Sequence, residues 1–148
     1  MSNAVVVDTS IAIKWVLSED DSVTALALLT EWISSNVRMT APALLAYEAS
    51  NTLYHNVLRG KITLETAKQG LTKVILKAVR INSFRDTNLS TRAIEFTQQF
   101  KMPATYDAYF LALAEREECE LWTADTRLWK AVQGEISWVR NLADYQNS

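Results

Sequence analysis

The chain has 148 residues, 49% apolar and 22% charged, with three glycines and two prolines, which fits one domain over 1–148 with its own core and excludes a disordered or low-complexity chain. A single cysteine, Cys119, rules out an intrachain disulfide and suits a reducing compartment. The net charge of −2 conceals a polarised distribution: from His55 to Met102 nine Lys/Arg stand against three acids, a balance of +6, while the remainder carries six against fourteen, so a basic middle could meet phosphates or simply solvate helix faces.

Ala4–Val7 is a β-branched run ending on Asp8 and reads as a buried strand. Thr9 and Ser10 open a helix through Ile11–Leu17, and Asp20–Asp21–Ser22 caps a second, with Val23, Leu26, Ala27 and Thr30 along one face. Val37–Thr40 is a second strand. Pro42 suits the first turn of a helix running to about Arg59 and closed by Gly60. Thr63 with Glu65 and Thr66 opens the next helix, which carries Leu64, Ala67, Leu71, Val74, Ile75 and Ala78 at helical spacing. Ile81–Phe84 is a candidate third strand. Leu89–Phe100 is helical with Ala93 and Phe96 inward, and Thr105–Glu118 is helical with Ala108, Leu111, Ala112 and Glu115 in register. Glu120–Ala124 is a strand ending at Asp125, a short helix Thr126–Val132 stops at Gly134, and Ile136–Val139 is the last strand. Short apolar strands alternating with helices predict an α/β domain with a mainly parallel central sheet.

Two carboxylates, Asp8 and Asp125, each follow an apolar strand, where open parallel sheets bind ligands. Each alone is equally well read as a helix N-cap. Glu48 lies in a mostly apolar helix with Asn51, Thr52 and His55 on its face. That polar stripe either meets solvent or lines a polar cavity, and the flanking Leu and Ala favour the cavity. Asp107 heads a nearly all-apolar helix, as a first-turn acid or a crevice ligand. Four oxygen donors with one histidine and one thiol in the chain point to a hard ion, Mg²⁺ or Mn²⁺, over zinc. Clustered carboxylates should raise one another's pKa. The plausible reaction is hydrolysis by metal-activated water. There is no phosphate loop, dinucleotide fingerprint or nucleophile elbow.

The segments Val5-Val6-Val7-Asp8-Thr9-Ser10, Ala41–Leu53 around Glu48 and Asn51, Tyr106-Asp107-Ala108-Tyr109 and Leu121-Trp122-Thr123-Ala124-Asp125-Thr126-Arg127-Leu128 stand in this order along the chain. Together they resemble the four motifs of PIN domains. The resemblance implies a PIN-like three-layer α/β/α sandwich with helices flanking a short-stranded sheet. It implies that Asp8, Glu48, Asp107 and Asp125 form the acidic metal site, with Ser10, Asn51 and Thr123 supporting it or orienting substrate.

At this length the chain looks most like VapC toxins, which implies a Mg²⁺- or Mn²⁺-dependent endoribonuclease cutting RNA. It also implies a homodimer held in check by a small cognate antitoxin. A PIN nuclease of RNA processing, or a PIN-fold module that binds RNA or protein without cutting, would share the motifs. Lys68, Lys73, Lys77 and Arg80 are a candidate phosphate track. Among five tryptophans (Trp15, Trp32, Trp122, Trp129, Trp138) most are expected in the core and one or two at an interface. With no signal-peptide pattern and no membrane-spanning apolar run, the expected location is the cytoplasm.

Overall fold

The computed structural model describes residues 3–82 and 87–145. Five strands, β1 (Ala4–Val7), β2 (Arg38–Pro42), β3 (Arg80–Asn82), β4 (Glu120–Thr123) and β5 (Val139–Asn141), form one sheet in the order β3-β2-β1-β4-β5. Every pairing is parallel. Parallel neighbours need crossovers, and helices supply them: α1 (Thr9–Ala12), α2 (Ser22–Ser34), α3 (Leu44–Leu58), α4 (Leu64–Gln69), α5 (Leu76–Ala78), α6 (Thr87–Gln99), α7 (Tyr106–Arg116) and α8 (Thr126–Val132). The chain steps outward from β1 to β3, then returns to the other side of β1 to lay down β4 and β5. Right-handed crossovers therefore put α1–α5 on one face and α6–α8 on the other, giving the three-layer PIN-like sandwich. The order reverses between β1 and β4, and the crevice opens at their carboxyl ends.

The core follows from the short strands. β1 is buried along its whole length, with Leu121, Trp122 and Thr123 of β4 beside it. The apolar helix α7 lies across β1, β2 and β4 and buries Phe110, Leu111 and Leu113 completely. Trp15, Trp32 and Trp122 are buried, and Trp129 and Trp138 are half-buried against them, so every tryptophan contributes to packing.

Several local expectations shift. The first helix tightens into a 3₁₀ turn at Ile13–Trp15 after a single α turn. On α2 the face carrying Val23 and Leu26 points outward, and Ala25, Leu28 and Trp32 form the buried stripe. Pro42 closes β2, and α3 begins two residues later. The helix opened by Thr63, whose hydroxyl accepts the Thr66 N–H at 3.0 Å, is not continuous. It widens to π geometry over Gly70–Ile75 before α5. At its start the chain approaches Val16 closely: a Cβ on Gly70 would lie 2.5 Å from Val16 Cγ1. β3 starts one residue earlier than expected, and Ser83 and Phe84 fall outside the described residues. The last strand forms at Val139–Asn141, three residues later than hydropathy suggested.

Two substitutions test this packing by chemical denaturation. Phe110→Ala should cost about 3–5 kcal/mol, as expected of a fully buried aromatic. Gly70→Ala should cost roughly 1–3 kcal/mol through the clash with Val16, although alanine is ordinarily the better helix former. An unchanged or raised stability for Gly70→Ala would refute the close approach.

Candidate active site

Asp8 ends β1 in extended geometry (φ −71°, ψ 148°) and precedes α1, yet its carboxyl caps nothing. It is turned inward, with the residue only 4% exposed. Its backbone N–H instead extends the sheet, donating to the Trp122 carbonyl at 3.0 Å. One carboxyl oxygen, Oδ2, accepts two hydroxyls: Ser10 Oγ donates at 2.5 Å and Thr123 Oγ1 at 2.9 Å. Those hydroxyls are in turn fixed by backbone, since Ala124 N–H donates to Ser10 Oγ at 2.9 Å and Asp125 N–H donates to Thr123 Oγ1 at 3.0 Å. The end of β1 and the end of β4 are thus tied through one carboxylate. The other oxygen, Oδ1, accepts no hydrogen bond from the described residues.

Asp125 behaves differently. Its Oδ1 accepts the N–H groups of Arg127 (2.9 Å) and Leu128 (3.3 Å), so it is a true N-cap of α8. Capping uses one oxygen and leaves the second. Glu48, half-buried on α3, accepts the Thr9 hydroxyl on Oε1 at 2.8 Å. Asp107, half-buried in the first turn of α7, accepts no hydrogen bond from the described residues.

The electrostatics link all four. Burial lifts the Asp8 carboxyl from its ordinary 3.8 to about 6, against the lowering effect of the Ser10 and Thr123 hydroxyls, with Asp107 and Glu48 adding repulsion. Burial also raises Glu48; the Thr9 hydroxyl opposes this and Asp107 adds to it. Asp107 is raised by burial and by Asp125, and lowered by Arg127. Asp107 is therefore the hub that feels or perturbs each of the other three. As they stand, no three His, Cys, Asp or Glu side chains among the described residues close around a common point. The donors would nonetheless suit a hard dication: all oxygen, partly desolvated, mutually repelling and, among the described residues, with Asp107 and Asp8 Oδ1 unclaimed by hydrogen bonds.

Of the other sequence candidates, Ser10 and Thr123 join this network, whereas Asn51 and His55 are exposed and Asn51 bonds to none of the acids. Asn51 and His55 of that stripe thus face solvent, whereas Glu48 and Thr52 are half-buried. Lys73 and Lys77 line a hollow with Trp32, Asn36, Val37 and Met39, beside the start of β2 and at the far end of the sheet from the acids. Lys68 is exposed and pairs with Glu65 at 3.6 Å, and Arg80 begins β3. Among the described residues, the cation felt by Asp107 is Arg127, which sequence reasoning passed over. Its place in the first turn after Asp125 was the available signal.

A parallel α/β sandwich with carboxylates at the crevice where the strand order reverses defines the class, an open α/β domain with an acidic site at the carboxyl ends of its strands. The PIN-domain family model matches residues 5–134, and the chain belongs to that family. No curated protein matches the sequence. Among solved structures, a chain of a toxin–antitoxin complex from Klebsiella pneumoniae is similar over 97% of this chain and 99% of its own, with TM-score 0.67 and 19% identity. The Mycobacterium tuberculosis toxin VapC20, which cleaves the sarcin–ricin loop, is similar over 89% and 98%, with TM-score 0.64 and 18% identity. VapBC2 from Rickettsia felis, bound to promoter DNA, is similar over 93% and 98%, with TM-score 0.63 and 15% identity. The fold is VapC-like.

The raised Asp8 gives a pH signature. Its folded value lies above its unfolded one, so between about pH 4 and 6 the folded chain holds a proton that the unfolded chain releases, and stability falls as pH rises through that window. Asp8→Asn removes the loss. In EDTA the variant should be more stable than the wild type by on the order of 1–3 kcal/mol at about pH 7.5, and no more stable at about pH 3.5. A gap that does not change with pH would show that Asp8 is not desolvated.

Proposed function

We propose that this PIN domain is a Mg²⁺- or Mn²⁺-dependent endoribonuclease, acting as the VapC-like toxin of a toxin–antitoxin pair. The observation that carries the reading is the gathering of Asp8, Glu48, Asp107 and Asp125 at the β1/β4 switch point, with Asp8 clamped by two hydroxyls. Among the described residues, half-buried Asp107 has no hydrogen-bonding partner, and the buried Asp8 carboxyl caps no helix. A dication bound by these four acids supplies Lewis acidity toward a phosphodiester and makes water nucleophilic near neutral pH. Asp8 would offer Oδ1 while Ser10 and Thr123 hold Oδ2 and fix the carboxyl plane. Asp125 would offer the oxygen its cap does not use. Arg127, at the rim, would meet a phosphate oxygen and draw the anionic backbone toward an otherwise acidic crevice.

The toxin reading is supported by the likeness to VapC folds over 98% of the compared chains or more. Exposed apolar side chains also support it: Val23 and Ile33 on α2 and Tyr54 and Leu58 on α3 offer surfaces for an antitoxin or a second copy. No helix among the described residues is long and apolar enough to cross a membrane, and the proposed place of action is the cytoplasm. The partner is a small antitoxin encoded beside this chain, and co-expression with the neighbouring small reading frame should yield an inhibited complex.

Cleavage of RNA by the purified chain should require Mg²⁺ or Mn²⁺ and vanish in Asp8→Asn. Cutting that survives in this variant at the wild-type rate points to another site or a contaminant. Arg127→Ala should lower kcat/KM by roughly tenfold to a hundredfold, the size expected for one charge-assisted phosphate contact. The double change Lys73→Glu with Lys77→Glu, at the far end of the sheet, should leave it within about twofold.

A further inference from the structure

Beside the acids, but sharing none of them, lies an open cleft of about 680 Å³ between the first turns of α3, α6 and α7. Pro42 and Leu44 line one side, and three tyrosines, Tyr47, Tyr106 and Tyr109, stand around it. The placement follows a repeated local pattern. Tyr47 immediately precedes Glu48 on α3, and Tyr106 immediately precedes Asp107 on α7. Consecutive helical residues diverge by about 100°, so each helix turns its acid into the crevice and its tyrosine into the adjoining cleft. Tyr47 is 70% exposed and Tyr106 59% exposed, unusual for rings of that size in two neighbouring first turns. Tyr109 is half-buried, and its hydroxyl donates to Ser90 Oγ at 3.0 Å, which fixes its ring.

We propose that this cleft is a nucleobase pocket, in which a base next to the scissile phosphate of single-stranded RNA stacks on Tyr47 and Tyr106. The inference rests on the ribonuclease reading above and adds a determinant of sequence choice. Three features favour a base over other occupants. The cleft's described lining offers aromatic faces and hydroxyls, the chemistry that a base engages by stacking and through its edges. Its volume lies within the usual range for small-ligand sites and exceeds that of one base. It is continuous with the proposed cleavage site, since the residues that flank its tyrosines are the acids themselves, and a strand passing the crevice carries its bases within reach. Stacking needs only a π-face, while the Ser90, Thr91 and Thr105 hydroxyls at the wall can select among base edges.

The test uses the whole chain and short oligoribonucleotides carrying 2-aminopurine at each position in turn, titrated in EDTA at low salt so that nothing is cut. Quenching should occur at one or two positions only, and an abasic sugar there should weaken binding roughly tenfold. Tyr47→Ala and Tyr106→Ala should each weaken binding of the intact oligonucleotide by about as much and leave the abasic one unaffected, while Tyr47→Phe and Tyr106→Phe, which keep the ring, should bind as the wild type does. Equal binding of intact and abasic strands would overturn the proposal, as would alanine variants that bind normally. Alanine variants that shift the sedimentation coefficient would assign the cleft to a second copy of the chain and overturn it too. Cleavage of unlabelled RNA in Mg²⁺ is followed in parallel: quenching without cleavage sinks the ribonuclease reading alone, and cleavage without quenching sinks the pocket alone.

Discussion

Two hydroxyls on one carboxyl oxygen hold the crevice together. Ser10 and Thr123 come from opposite sides of the switch point, one just after β1 and the other at the end of β4, and both donate to Oδ2 of Asp8. Each hydroxyl also accepts a backbone N–H from the turn after β4. The carboxyl is therefore oriented by backbone that the sheet has already fixed, and cannot relax by rotating. This arrangement makes burial of an acid tolerable without neutralising it. Two donors offset part of the desolvation cost, and the remaining cost appears as a carboxyl that titrates near 6.

Asp107 enters from another direction, at the head of the helix that covers the sheet. That helix is apolar because it lies across three strands, and its first turn emerges at their carboxyl ends. The core packing of α7 and the position of its acid are thus one constraint. Glu48 comes likewise from the first turns of α3, directly after β2. Parallel topology starts every crossover helix at the same end of the sheet. Four carboxylates from four distant sequence segments consequently stand at that end with no long loop, and Asp8, Glu48 and Asp107 each feel a neighbouring acid.

Much of this was legible in the sequence because the signals were local. The β-branched run before Asp8, the Thr-x-Asp unit at the end of β4 and the nearly all-apolar α7 each specify an element and place an acid at its end. Topology then followed from the alternation of strands and helices. What was not legible depended on contacts between distant segments. The stretch after α4 widens to π geometry where Gly70 lies close against Val16, a contact between distant segments. The outward turn of Val23 and Leu26 depends on which α2 stripe the 3₁₀ turn covers. Helical spacing put Asn51 and His55 on the Glu48 face, but it could not say that the crevice ends at Glu48. Charge counting favoured the lysine-rich middle of the chain; the three-dimensional path sends Lys73 and Lys77 to the far end, and among the described residues Arg127 is the cation felt by Asp107. Asp8 and Asp125 both followed apolar strands in sequence, with Asp125 the better cap candidate. Only the structure separates the acid that caps its helix from the one that does not.

The central claim is that the four acids form one dication site. Manganese binding, followed by electron paramagnetic resonance of the free ion, tests it without reference to any RNA. The account predicts saturable binding by the wild-type chain at millimolar Mn²⁺ or below, competed by Mg²⁺ and lost when Asp107, the hub of the cluster, is changed to Asn. Absence of saturable binding, or equal binding by the wild type and Asp107→Asn, would contradict it.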